Sequence, residues 1–214
     1  MANANTPLMR EPALTAPNQH DRLEAEMRHL GQTTWGFVIY RCTFASNDDW
    51  EKVMAKLKQQ DMTLDEWPSY ALKPHLRDGL KYTVFEDRAL DGATKEQVLE
   101  QFKGWLDTEP WRSEQPLSDK TIRLAARYDI CLMIDEASLK SILDVRLQGG
   151  RDDEEVSIGY VYALRYEANS PPDPDENYWW MRISFDDLSI RWYDLLSRDG
   201  WHNEHKQHPD IALG

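Results

Sequence analysis

Hydrophobic positions along the chain switch between the period of a helix and the period of a strand, and the switches mark out the elements. From Asp21 to Leu30 the apolar residues Leu23, Met27 and Leu30 fall at i, i+4 and i+7, one face of a short helix. Thr34 to Phe44 is apolar on both faces, as a central buried strand requires. Asn47 then offers an N-cap, Asp48 and Asp49 fill a first turn, and Trp50, Val53, Met54 and Leu57 form a single stripe. Residues 61–79 break the pattern with Pro68, Pro74 and Gly79 and read as an irregular insertion. A second strand over 80–87 leads into the Asp91-Gly92 turn. Thr94 with Gln97 then makes a capping-box signature ahead of Val98, Leu99, Phe102, Trp105 and Leu106.

Beyond the polar connection at 107–120, a third strand is predicted over 128–134, and Asp135 is placed to cap a helix carrying Leu139, Ile142 and Leu143. Gly149 to Glu155 reads as a solvated turn. In the strand that follows, Val156, Ile158, Tyr160, Tyr162, Leu164 and Tyr166 share one face. Ser170 to Glu176, with its prolines and acids, is a loop before a fifth strand at 178–185. Asp186 or Asp187 then caps a helix built on Leu188, Trp192, Leu195 and Leu196, with Gly200 near its end.

The order is therefore β-α-β-α-β-α-β-β-α. Residues 34–58 and 128–144 repeat one plan of apolar strand, acidic cap and short amphipathic helix. That duplication points to an α+β fold: a ferredoxin-like sandwich, a mostly antiparallel sheet with helices packed on one face. A doubly wound parallel sheet is the competing plan, and the hairpin of the last two strands decides against it. Residues 1–20, with Pro7, Pro12 and Pro17 and no periodicity, are expected to be a flexible N-terminal tail. Residues 21–200 form a single α+β domain, and 201–214 a flexible C-terminal tail.

Composition narrows the function classes. The 214 residues carry 25 Lys and Arg against 38 Asp and Glu, a formal charge of −13. A phosphate-reading surface needs clustered bases, so no nucleic-acid partner is expected. No run approaches the roughly 18 apolar residues of a membrane span, so no membrane partner is expected either. The acidity reads first as solubility and second as a preference for a cationic partner. The first residues lack the basic and apolar regions of a signal peptide, so Cys42 and Cys131 are expected to be reduced core thiols in a cytoplasmic protein.

Three blocks carry a resemblance. Trp35 to Phe44 with Asp49-Trp50-Glu51, Asp91-Gly92-Ala93-Thr94 with the helix through Trp105, and Arg127 to Glu136 are similar to a large family of small proteins from filamentous fungi. The blocks follow the family's order and lie in core and turn positions. The resemblance implies a shared fold and carries no catalytic residue, since the family has no assigned activity.

Candidate chemistry is sparse. Glu86, Asp87, Asp91, Asp135 and Glu136 gather at predicted strand ends, where a cleft is common. Asp87, Asp135 and Glu136 are the candidate catalytic carboxylates, with helix capping and turn chemistry as the alternative. The last hairpin has an unusual aromatic load in Tyr160, Tyr162, Tyr178, Trp179 and Trp180, beside Arg165 and Arg182. Trp179, Trp180 and Arg182, with Arg41, are the candidate binding residues, and ordinary sheet packing is the alternative. His202, His205 and His208 have partial metal-ligand spacing, but Gly200 and Pro209 interrupt any helix there, and no metal site is assigned. No phosphate-loop, dinucleotide, zinc or nucleophile-elbow signature is present, and no cofactor is expected.

Two functions fit. One is an intracellular binding protein that engages a protein partner. The other is a small enzyme of fungal specialised metabolism that holds a cationic, arginine- or amine-containing small molecule through carboxylates.

Overall fold

Val38–Arg41 and Ile130–Ile134 are buried at every position, and these strands, β1 and β3, lie side by side and parallel at the centre of a six-stranded sheet. Thr83–Phe85 (β2) pairs parallel with β1 on the outer side. Tyr160–Arg165 (β4) pairs antiparallel with β3, and Trp180–Ser184 (β5) antiparallel with β4. Ile211–Ala212 (β6) closes the far edge in parallel with β5, giving the order β2-β1-β3-β4-β5-β6. This computed structural model describes residues 19–63, 73–115, 125–144, 158–166, 177–186, 188, 190–197 and 200–213.

Alternate residues of each strand feed two separate cores. On the first face Ile39, Leu132, Val161 and Met181 meet the helices Gln19–Leu30 (α1), Asn47–Thr63 (α2), Glu136–Leu143 (α7), Ile190–Leu196 (α8) and Gly200–Glu204 (α9). On the second face Val38, Tyr40, Cys131, Met133, Tyr162 and Leu164 meet Val98, Leu99, Phe102 and Leu106 of Lys95–Asp107 (α4). Pro74–Gly79 (α3), Trp111–Glu114 (α5) and Ala126–Asp129 (α6) are short connecting helices.

The class is α+β, but the sheet is mixed and helices cover both faces. The expected mostly antiparallel sheet with helices on one face is corrected on both counts. Three of the five pairings are parallel. Parallel neighbours need long crossovers, and α2 takes one face while α4 takes the other. The doubly wound plan thus describes the β2-β1-β3 half, and the hairpin plan describes the rest.

Local chemistry explains the element ends. Thr94 and Gln97 form the capping box of α4, and Asp135 with Ser138 forms that of α7. Ser46 rather than Asn47 caps α2, its Oγ accepting from Asp49 N at 3.2 Å. The stretch 61–79 is partly helical, since α2 runs through Thr63 and α3 begins at Pro74. Of the stretch read as a C-terminal tail, Trp201 is buried in the first-face core and donates to the Tyr178 carbonyl at 2.8 Å, and β6 lies on β5. The turn at 149–155, the loop at 170–176 and Asp187 lie outside the described residues, as do residues 1–18 of the N-terminal segment.

One buried ion pair ties the parallel half together. The Arg127 side chain is fully buried and places all of its N–H donors. Nε and Nη2 meet the Glu114 carboxylate at 2.8 and 2.9 Å, Nη1 meets the carbonyls of Gly36 and Lys81, and Nη2 also meets Thr83. Gly36 adopts φ +102° there, and a Cβ would stand 2.8 Å from the Lys81 carbonyl oxygen. Burial pushes the Glu114 pKa up, but the hydrogen bonds from Arg127, Lys81 and Tyr128 and the Arg127 charge outweigh it and hold it at about 2.

Candidate binding site

The register of β4 and β5 sets Tyr162 opposite Arg182 and Leu164 opposite Trp180. With a side-chain period of two, Tyr160, Tyr162, Trp180 and Arg182 all emerge on the second face. The capping box of α4 fixes Lys95 in the first helical turn. Its Nζ stands 4.4 Å from the Tyr162 ring centre and 4.3 Å from that of Trp180. The Arg182 guanidinium lies 4.4 Å from the Tyr160 ring and 5.6 Å from that of Tyr162. Tyr162 stands edge-on to both Tyr160 and Trp180.

Three rings therefore form a floor and two cations cover it. Tyr160 and Tyr162 are buried, at 9 % and 5 % exposure, and Trp180 is half-buried, with the two cations over them. Burial first, and then the hydrogen bond with Tyr162, push the Tyr160 phenol up to about 12, and the nearby Asp135 charge adds to that while Arg182 opposes it. Neither Lys95 nor Arg182 forms an ion pair among the described residues.

The other sequence candidates are spread out. Asp87 accepts from Ala89 N and caps a short 3-10 turn. Asp135 accepts from Ser138 N at 2.8 Å as the cap of α7. Glu136 accepts from the Thr43 hydroxyl at 2.5 Å and pairs with Lys140, and these two hydrogen bonds lower its pKa. Each of the three carboxylates thus has a local partner that holds a helix end or a strand end.

Arg41 lies apart from the β4–β5 cluster. Its nearly buried side chain gives Nε to the Thr43 carbonyl, Nη1 to Glu86 and Nη2 to Asn47, at 2.8, 3.0 and 2.7 Å. It borders a depression of about 770 Å³ between α2 and β2, lined also by Trp50, Glu51, Lys58, Tyr82 and Glu86. Trp179 and Trp180 separate: Trp179 is buried at 7 % exposure in the turn before β5, while Trp180 joins the cation-covered floor. Of the four candidate binding residues, the fold brings Trp180 and Arg182 together and leaves Arg41 and Trp179 elsewhere.

Burial raises both thiols, Cys42 to about 12, with Asp135 and Asp91 adding to the effect there. Neither is a thiolate nucleophile in that setting. The histidines after Gly200 pack on aromatics instead of converging. His202 meets the Tyr178 hydroxyl and Arg165, His205 meets the Trp180 carbonyl, and the His208 ring is 5.9 Å from that of Trp180. Among the described residues no group of His, Cys, Asp and Glu could hold a metal ion, and no helix is long and apolar enough to cross a membrane.

Lys95 is the member of the cluster that sequence reasoning does not reach. Its capping box is readable, but nothing local says that the start of α4 stands over a hairpin far along the chain. The comparisons with known proteins add nothing to this geometry: no family model matches the chain, and neither a curated protein nor a solved structure matches it.

Proposed function

We propose that this protein works by binding, and that the β4–β5 surface covered by Lys95 and Arg182 engages a protein partner. The observation that carries the reading is the pair of cations over Tyr160, Tyr162 and Trp180, without ion-pair partners among the described residues of a chain with a charge of −13. Placing two like charges side by side costs energy that cation–π contact offsets only by about 0.5–2 kcal/mol each. Tyr, Trp and Arg are also the residues that interfaces favour. In this proposal the protein is cytoplasmic, uses no cofactor, engages neither nucleic acid nor membrane, and is related to small proteins of filamentous fungi. The test is a photo-crosslinking residue in place of Tyr178, which is 38 % exposed in the turn that leads into β5, two residues before Trp180. In extract of the source cells, a discrete protein adduct that disappears in the Lys95→Glu, Arg182→Glu double variant is expected. The same adducts in both proteins would overturn the reading.

A second reading, a small enzyme acting on a cationic small molecule, draws on the depression of about 770 Å³ beside Glu51 and Glu86. Its volume is that of a small-molecule site. Thermal-shift screening of arginine and amine metabolites, with Glu51→Gln and Glu86→Gln as controls, tests it. A stabilising ligand that loses its effect in both variants would favour the enzyme. No stabilising ligand would remove this reading.

A further inference from the structure

The Arg182 guanidinium has hydrogen-bonding capacity that its surroundings do not use. Its Nε–H is buried with no acceptor among the described residues, and its one hydrogen bond runs from Nη2 to the Tyr162 hydroxyl at a long 3.4 Å. A guanidinium offers five N–H donors in a rigid fork that fits a carboxylate or phosphate. Arg127 in the same protein shows the satisfied state, with Glu114 taking two of its donors and backbone and hydroxyl oxygens taking the rest. A buried, unpaired donor on a charged group is costly and calls for an explanation.

Lys95 stands beside it, half-buried and without an ion pair among the described residues. Its ammonium is held by ring faces 4.3 and 4.4 Å away, contacts that satisfy the charge without accepting an N–H bond. It also sits in the first turn of the 13-residue helix α4, whose positive end adds to the local field. Two cations share the Tyr162 ring, one of them with an idle buried donor, so the group that completes the cluster is an acceptor with negative charge.

We infer that Arg182 and Lys95 form a site for an oxyanion, a carboxylate or phosphate group, with Arg182 as the fork and Lys95 as the second charge. The inference rests on the reading of the β4–β5 surface as the binding surface, and names the chemistry the partner presents there. Tyr160, Tyr162 and Trp180 hold the two cations in place, and the Arg182 Nε–H turns to the bound oxygen.

The test uses the full chain and two probes, inorganic phosphate and a short neutral-ended Glu-Glu peptide, each titrated at constant ionic strength against chloride. The readout is the Arg182 side-chain Nε–H signal in nitrogen-edited NMR, assigned through Arg182→Lys. A saturable shift is expected with at least one probe. It should weaken about tenfold or more in Lys95→Gln, the factor expected for losing one charged hydrogen bond. Arg165→Gln, which removes a cation paired with Asp129, should leave it unchanged. Phosphate alone identifies a phosphoryl group, the peptide alone a carboxylate. Shifts that follow ionic strength and not the anion would overturn the inference. The probes need no protein partner, so loss of the crosslinked adduct with retained anion binding would fault the partner and not the site.

Discussion

Arg127 and Arg182 are the same residue type put to opposite uses. Around Arg127 the chain supplies a carboxylate, two carbonyls and a hydroxyl, and closes the site so completely that the side chain has no exposure. Around Arg182 it supplies rings, one long hydrogen bond and a neighbouring cation. Desolvating a guanidinium costs several kcal/mol unless donors and charge are matched. The first arrangement meets that cost within the fold. The second leaves the buried Nε–H without an acceptor among the described residues, and the proposed anion would supply one. Arg41 falls with Arg127, since each of its nitrogens has an acceptor. The three arginines thus differ in how fully the fold supplies acceptors to their donors.

The sharpest way to break this comparison is to remove one partner from each site. Glu114→Gln strands the buried Arg127 charge and should cost about 3–5 kcal/mol in urea unfolding. Arg182→Gln removes a charge the fold does not need, and its stability should stay within about 0.5 kcal/mol of wild type. Equal losses would erase the distinction.

Acid titration sharpens the structural side. The folded pKa of Glu114 is about 2, below its usual value of 4.5. Its stabilisation is therefore complete above the usual value and is lost as pH falls from about 4.5 towards about 2. Stability measured by urea unfolding should drop across that window by an amount on the order of 3 kcal/mol. The drop should shrink in Glu114→Gln, and an unchanged pH profile in that variant would contradict the assignment.

Smaller effects probe the caps. Thr94→Ala removes the side-chain cap of α4 and should cost about 1 kcal/mol. Because that cap positions Lys95, anion binding should also weaken, though by less than in Lys95→Gln. Asp135→Ala should cost a similar amount of stability, about 1 kcal/mol, and should not weaken anion binding, since it removes a negative charge near Tyr160. Strong loss of binding in Asp135→Ala would bring that carboxylate back as part of the site.

The sequence made some of this legible and hid the rest for physical reasons. The capping boxes at Thr94 and Asp135 were readable because their hydrogen bonds span three residues. The two-sided apolar pattern at 34–44 already implied helices on both faces, and it conflicts with a one-faced sandwich. Parallel pairing of β1 with β2 and β3 was not readable, because strand direction is set by crossovers and not by local pattern. The cation cluster was half readable: alternation places Trp180 and Arg182 on one face, whereas Lys95 reaches Tyr162 only through the tertiary packing of α4. The reading of Asp87, Asp135 and Glu136 as acids for catalysis competed with capping from the start. Capping is the chemistry that Ala89 and Ser138 complete for Asp87 and Asp135, while Glu136 is tied to the Thr43 hydroxyl and to Lys140.

The most direct test of the central claim is the thermal unfolding midpoint of wild type and Arg182→Gln, with and without inorganic phosphate or the neutral-ended Glu-Glu peptide, at fixed ionic strength. A ligand that binds the native state raises the midpoint by mass action. At least one of the two probes should raise the wild-type midpoint and leave that of Arg182→Gln where it is. An equal rise in both proteins, or no rise in wild type with either probe, would contradict the assignment.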